Sequence, residues 1–154
     1  MNAIYNFLEN SSRLRTVLFW VWMLSAAGFV FFAYTQSMTV GQSFSETLQH
    51  PAIALSFLVA CMSVIQSVML KVAESENPQT VRLFGIFSVV QQILVGNLIA
   101  ALVAFFLVRS LRFEDRTEQF APQWRWALVG GMVLIGVLTL LTLIARYNQM
   151  TPGS

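Results

Sequence analysis

Three stretches of this chain, roughly 16–34, 51–70 and 83–108, contain no Asp, Glu, Lys or Arg, and a fourth, roughly 124–145, carries only Arg125 near its start. About 20 apolar residues, rising 1.5 Å each in a helix, cross the ~30 Å hydrocarbon of a bilayer. Each stretch meets that length. With 56% hydrophobic and 10% charged residues, against about 25% charged in soluble domains, the chain has too little polar surface to enclose so much apolar side chain. The expected fold is an all-α integral membrane protein, with four transmembrane helices in an antiparallel bundle forming one domain over residues 1–154.

The boundaries carry the usual interfacial markers. Trp20, Trp22, Phe29, Phe31, Phe32 and Tyr34 weight the first span toward its ends, and Trp124 and Trp126 open the fourth, as in the aromatic belts of membrane proteins. The first apolar run continues past Gly28 to about Tyr34, too long for a signal-peptide core, so it is expected to remain as an anchor. Short interfacial helices are expected as options at two places. Ile4, Tyr5, Phe7 and Leu8 interleave with polar residues in the N-terminal segment. In the first loop Val40, Phe44 and Leu48 recur every four residues, and Ser43 with Glu46 has the spacing of a capping box. Pro51 suits the first turn of the second span.

Basic residues near the ends of spans set orientation. Four crossings would place Arg13, Arg15, Lys71, Arg82 and Arg146 on one side and Arg109, Arg112, Arg116 and Arg125 on the other. That division is nearly even. The first span decides it, with two flanking arginines before it and no Lys or Arg in the loop after it, so both termini are expected in the cytoplasm. A plasma or inner membrane is preferred over an organelle.

No carboxylate, lysine or arginine falls within the core of the four spans. This argues against proton-coupled export, which needs a titratable acid in the membrane. It leaves channels, whose paths can be lined by amides, hydroxyls and carbonyls. The intramembrane polar residues are Ser63, Gln66 and Ser67 in the second span and Ser88, Gln91, Gln92 and Asn97 in the third. Gln66 lies shortly before the exit of its span and Gln91 and Gln92 shortly after re-entry, so a short turn would let their amides meet. Ser88, Gln92, Gly96, Ala100 and Ala104, four residues apart, would form one ridge of small or hydrogen-bonding groups along the third helix, the kind of surface that lets another helix approach closely in lipid.

Other features carry less chemistry. Arg109, Arg112, Asp115 and Arg116 belong to a mixed-charge segment that could dock a partner or simply face water. His50 and Glu46, four residues apart, have no third ligand nearby for a metal, and a lipid enzyme using them at the interface is the least favoured reading. The single Cys61 excludes an intrachain disulfide. Nine scattered basic residues make no stripe for nucleic acid. No phosphate loop, nucleophile elbow or zinc-protease motif occurs, and no cofactor is expected. The favoured reading is a small, non-enzymatic accessory or regulatory subunit, embedded in the lipid bilayer and packing laterally on another membrane protein or on itself. The alternative is a small oligomeric transporter or channel with a polar path lined by Gln66, Gln91, Gln92 and Asn97.

Overall fold

The computed structural model describes residues 10–74, 78–111 and 122–150, and among these no strand occurs. Six helices follow one another: α1 (Ser11–Val40), α2 (Phe44–Thr47), α3 (Pro51–Glu74), α4 (Pro78–Val95), α5 (Leu98–Ser110) and α6 (Pro122–Met150). Within α1, α3 and α6 lie three segments long and apolar enough to cross a membrane. They bury a minority of their residues against one another. Their outward faces present Leu24, Phe31, Val68, Val133, Val137 and Leu140, an apolar exterior far larger than the patches tolerated on soluble monomers and consistent with a membrane-embedded chain.

The short loop between α1 and α3 is built from local rules. Gly41, at φ +69°, ends α1 in the left-handed conformation, with Gln42 N–H donating to Ser37 O at 3.1 Å. Ser43 and Glu46 then form the expected capping box at the start of α2, and α3 begins at Pro51. The Ser43 hydroxyl and backbone N–H both donate to the Glu46 carboxylate, 2.7 Å each, and hold its pKa below the ordinary value.

The third expected span is not one helix. The run 83–108 breaks at Gly96, which stands at φ +85°, and the chain turns back on itself. Gly96 N–H donates to Ile93 O and Asn97 N–H to Gln92 O, at 3.1 and 2.8 Å, the paired bonds of a Schellman stop. Asn97 then caps the next helix, its side chain accepting from Ala100 N–H. One Gly–Asn pair thus ends α4 and starts α5. The fold-back is fixed by Gly85 and Val108: a Cβ on Gly85 would lie 2.7 Å from Val108 Cγ2, whereas a straight helix would separate those residues by about 35 Å. The legs are shorter than α1, α3 and α6: 18 residues in α4 and 13 in α5 give about 27 and 20 Å.

Side-chain pairs set the directions of the long helices. Phe29 meets Phe57, and Met23 meets Ser67, so α1 and α3 are antiparallel. Gly131 abuts Met69 while Thr139 approaches Met62, so α3 and α6 are antiparallel too. The starts of α1, α4 and α6 and the ends of α3 and α5 therefore gather at one end of the bundle. The end of α6 lies at the other, together with α2. Asn10 and Met150, the first and last described residues, thus stand at opposite ends of the bundle, because α4 and α5 run out and back. The core between the helices centres on Leu18, Trp22, Met62, Leu70, Phe84, Leu107 and Ile135, each at most 1% exposed.

Only glycine visits the left-handed region without penalty. Gly96→Ala is expected to cost about 1–2 kcal/mol for that reason, read as a lower unfolding midpoint in detergent.

Candidate functional site

The polar residues of α3 and α4 converge inside the bundle. Gln92 Nε2 donates to Gln66 Oε1 at 2.5 Å, and both side chains are fully buried. This is the amide meeting expected from the depth of the two residues in their helices. Around it lie Ser63, Ser67, Ser88 and Gln91, all at most 3% exposed. Ser63 and Ser67 donate to carbonyls of their own helix, Val59 O and Val64 O, which is how hydroxyls are satisfied without an external partner.

The amides are not fully paired. Gln66 Nε2, Gln92 Oε1, both polar atoms of the Gln91 amide, Ser88 Oγ and the indole N–H of Trp22 are buried with no protein partner. Each such group costs about 1–3 kcal/mol when nothing satisfies it, and buried polar groups are as a rule paired with protein or water. A purely structural lock would saturate its amides. Ser88, Phe84 and Thr80 follow one another at fourfold spacing down α4, and Thr80 Oγ1 is also buried without a partner. The buried Phe84 ring meets Trp22 edge to face, 6.2 Å between centroids and 79° between planes. Unpartnered polar atoms thus extend from the hairpin turn toward the opposite end of α4, interrupted by one aromatic pair.

On the other side of the turn lies a cavity of about 180 Å³. Ser25 and Phe29 of α1, Ser56, Val59, Ala60 and Ser63 of α3, Asn97 at the turn and Arg146 of α6 line it. Helical side chains lean toward the N-terminal end of their helix, and Arg146, near the C-terminal end of α6, reaches back into the bundle. Its Nη1 donates to Val95 O, 3.3 Å away, the last carbonyl of α4. A cation at that position complements the negative end of a helix. Arg146 has no carboxylate partner among the described residues. An arginine near the end of a spanning helix can snorkel to the interface; this one turns to the Val95 carbonyl instead.

The remaining candidates separate clearly. Ala100 and Ala104 are fully buried. The expected continuous ridge does not exist, because Gly96 divides it: Ser88 and Gln92 stand on one leg, Ala100 and Ala104 on the other, and all four are packed within the chain. That ridge is not available to a partner. Arg109 is exposed in the last turn of α5, while Arg112, Asp115 and Arg116 lie outside the described residues. The N-terminal lead-in also lies outside them, apart from its last residues. His50 and Glu46 border a shallow depression with Gln42 and Gln49, but Glu46 is committed to its cap. Cys61 is half-buried. Thr80 was not singled out from sequence, and Trp22, read there as part of an interfacial belt, is instead fully buried. Arg146 reads there only as one of the basic residues that set orientation, and its one distinguishing mark is isolation, as the only Lys or Arg in the last 29 residues.

No family model, curated protein or solved structure matches this chain.

Proposed function

We propose that this chain is a small membrane transporter or channel in which one copy holds a polar path. The path runs from the Arg146 cavity, past the Gly96–Asn97 turn, along Gln66, Gln92, Gln91 and Ser88 toward Thr80. The observation that carries this reading is the set of buried amide, hydroxyl and indole groups without protein partners beside a helical hairpin. Non-helical backbone at membrane depth is tolerated where it is buried in protein or lines a cavity, and broken helices of this kind build solute sites near the midplane of transporters. No enzymatic role is proposed.

The hairpin also changes the orientation we propose. With two legs entering and leaving on one side, the described Arg13, Arg15, Lys71, Arg82, Arg109 and Arg125 belong to one end and Arg146 to the other. The positive-inside rule then assigns the basic end to the cytoplasm of a plasma or inner membrane and Met150 to the opposite face.

Flux through proteoliposomes tests the path. Stopped-flow light scattering with urea, glycerol and sodium nitrate gradients is expected to show entry faster than in protein-free vesicles for at least one solute. Gln92→Leu removes a hydrogen-bonding group worth about 1–3 kcal/mol, and is expected to slow that entry roughly tenfold, since 1.36 kcal/mol is a factor of ten in rate. Equal rates in wild type, Gln92→Leu and empty vesicles would sink the reading.

A second reading, lateral association as an accessory subunit, keeps one specific support. Ala27 and Gly28 are exposed on α1, and a Cβ on Gly28 would meet nothing within 4 Å, so another helix could approach closely there. The surface for that role is then α1, not the third expected span. Photocrosslinking from Ala27 in cells distinguishes a second copy, a different membrane protein, or lipid alone.

A further inference from the structure

We propose that the Arg146 cavity binds a small oxyanion, a carboxylate or phosphate-like group. The inference deepens the transport reading by naming the solute class, and it rests on that reading only for the claim that the anion moves.

Among the described residues, Arg146 is the only charged one lining the cavity. A guanidinium has five N–H donors and accepts nothing. Val95 O occupies one nitrogen of the Arg146 fork. The rest of the fork belongs to a cavity with no carboxylate in its walls, and the planar guanidinium matches two oxygens of one oxyanion. Asn97 adds to the same sign. Its Oδ1 accepts from Ala100 N–H, so its amide nitrogen is the half that remains to donate. Leu98 and Ile99 open α5 directly after it, and the first N–H groups of a helix, with the positive end of its dipole, favour anions. The Ser25 hydroxyl can donate as well, while Ser56 and Ser63 are turned to carbonyls of α3. At ~30 Å³ for each water in the liquid, 180 Å³ accommodates a group the size of acetate or phosphate.

The binding assay is independent of flux. The purified chain is placed in nanodiscs of phosphatidylcholine, and its melting temperature is followed as sodium phosphate or sodium acetate is titrated, against sodium chloride at matched ionic strength. A parallel series replaces part of the lipid with phosphatidylglycerol. Stabilisation by the free salts in phosphatidylcholine discs identifies a soluble oxyanion. Stabilisation only when phosphatidylglycerol is present identifies a lipid phosphate at the same guanidinium. Because Arg146 also holds the Val95 carbonyl, Arg146→Gln is expected to melt lower without any anion. Arg146→Lys keeps a cation over that carbonyl and carries the decisive comparison. It is expected to melt near wild type in chloride, yet to need roughly tenfold more oxyanion for the same response, since an ammonium lacks the bidentate fork.

Equal responses to oxyanion and chloride in both lipids overturn the proposal, as does an unchanged oxyanion response in Arg146→Lys and Arg146→Gln. Arg146 is then a latch for the hairpin alone. Binding without flux overturns the transport reading and leaves the site standing, while flux without oxyanion stabilisation does the reverse.

Discussion

A reporter that is active only outside the cytoplasm is expected to be silent when fused at residue 10 and active when fused after Met150. The effect is all-or-none, because it depends on whether the number of net crossings is odd or even. Four full spans return the C-terminus to the starting side; α1, α3 and α6 with an intervening hairpin do not. The basic residues point the same way. Four crossings split them five to four, a division with no energetic preference to explain. Under the orientation we propose, six of the seven described basic residues stand at one end, the asymmetry expected when short loops are retained in the cytoplasm. The loop joining α1 and α3 belongs to the far side in either arrangement. Labelling of a cysteine introduced at Gln49 with a membrane-impermeant reagent therefore provides an internal control. Accessibility of both Gln49 and Met150 from the same external side supports three crossings, and opposite accessibility supports four.

The second large effect is expected at Phe84. Its ring and that of Trp22 close the gap between Ser88 and Thr80, and hydrophobic constrictions of this kind gate polar paths by excluding water. Phe84→Ala removes a fully buried ring, a change that costs about 3–5 kcal/mol in well-packed cores, so the variant is expected to unfold at lower denaturant. In proteoliposomes it is nonetheless expected to raise flux, opposite in sign to Gln92→Leu. The sign separates the two roles: a residue that merely supports the fold lowers flux when truncated. Unchanged or reduced flux in well-folded Phe84→Ala would remove the aromatic pair from the path. Phe84→Leu, which restores most of the apolar volume, is expected to return both stability and flux toward wild type.

Much of the architecture was legible because it depends on local rules. Uncharged length identified α1, α3 and α6, the Ser43 and Glu46 spacing identified the cap of α2, and Pro51 marked the start of α3. The Gln66 and Gln92 contact was legible too, since it requires only that two helices joined by a short link run antiparallel. The hairpin was not. Hydropathy is blind to direction, so 26 apolar residues look the same whether they cross once or turn midway. The signs of the turn were nevertheless present in the sequence. Gly96 followed by Asn97 supplies a left-handed stop and a helix cap in adjacent positions. The run is also longer than one span needs. Arg146 was misread for a related reason. Its place four residues before Met150 suits the end of a span, and its inward course depends on α4 ending beside α6, a tertiary fact.

The bond between Arg146 and Val95 also imposes an order in time. The two residues are 51 positions apart, and at about 5–20 residues per second the ribosome needs roughly 3–10 s to make the interval. Throughout that delay the turn has the Gly96 stop, the Asn97 cap and the packing of Gly85 on Val108, and its final carbonyl receives its arginine only when α6 is nearly complete. The turn is therefore made well before the latch that holds it.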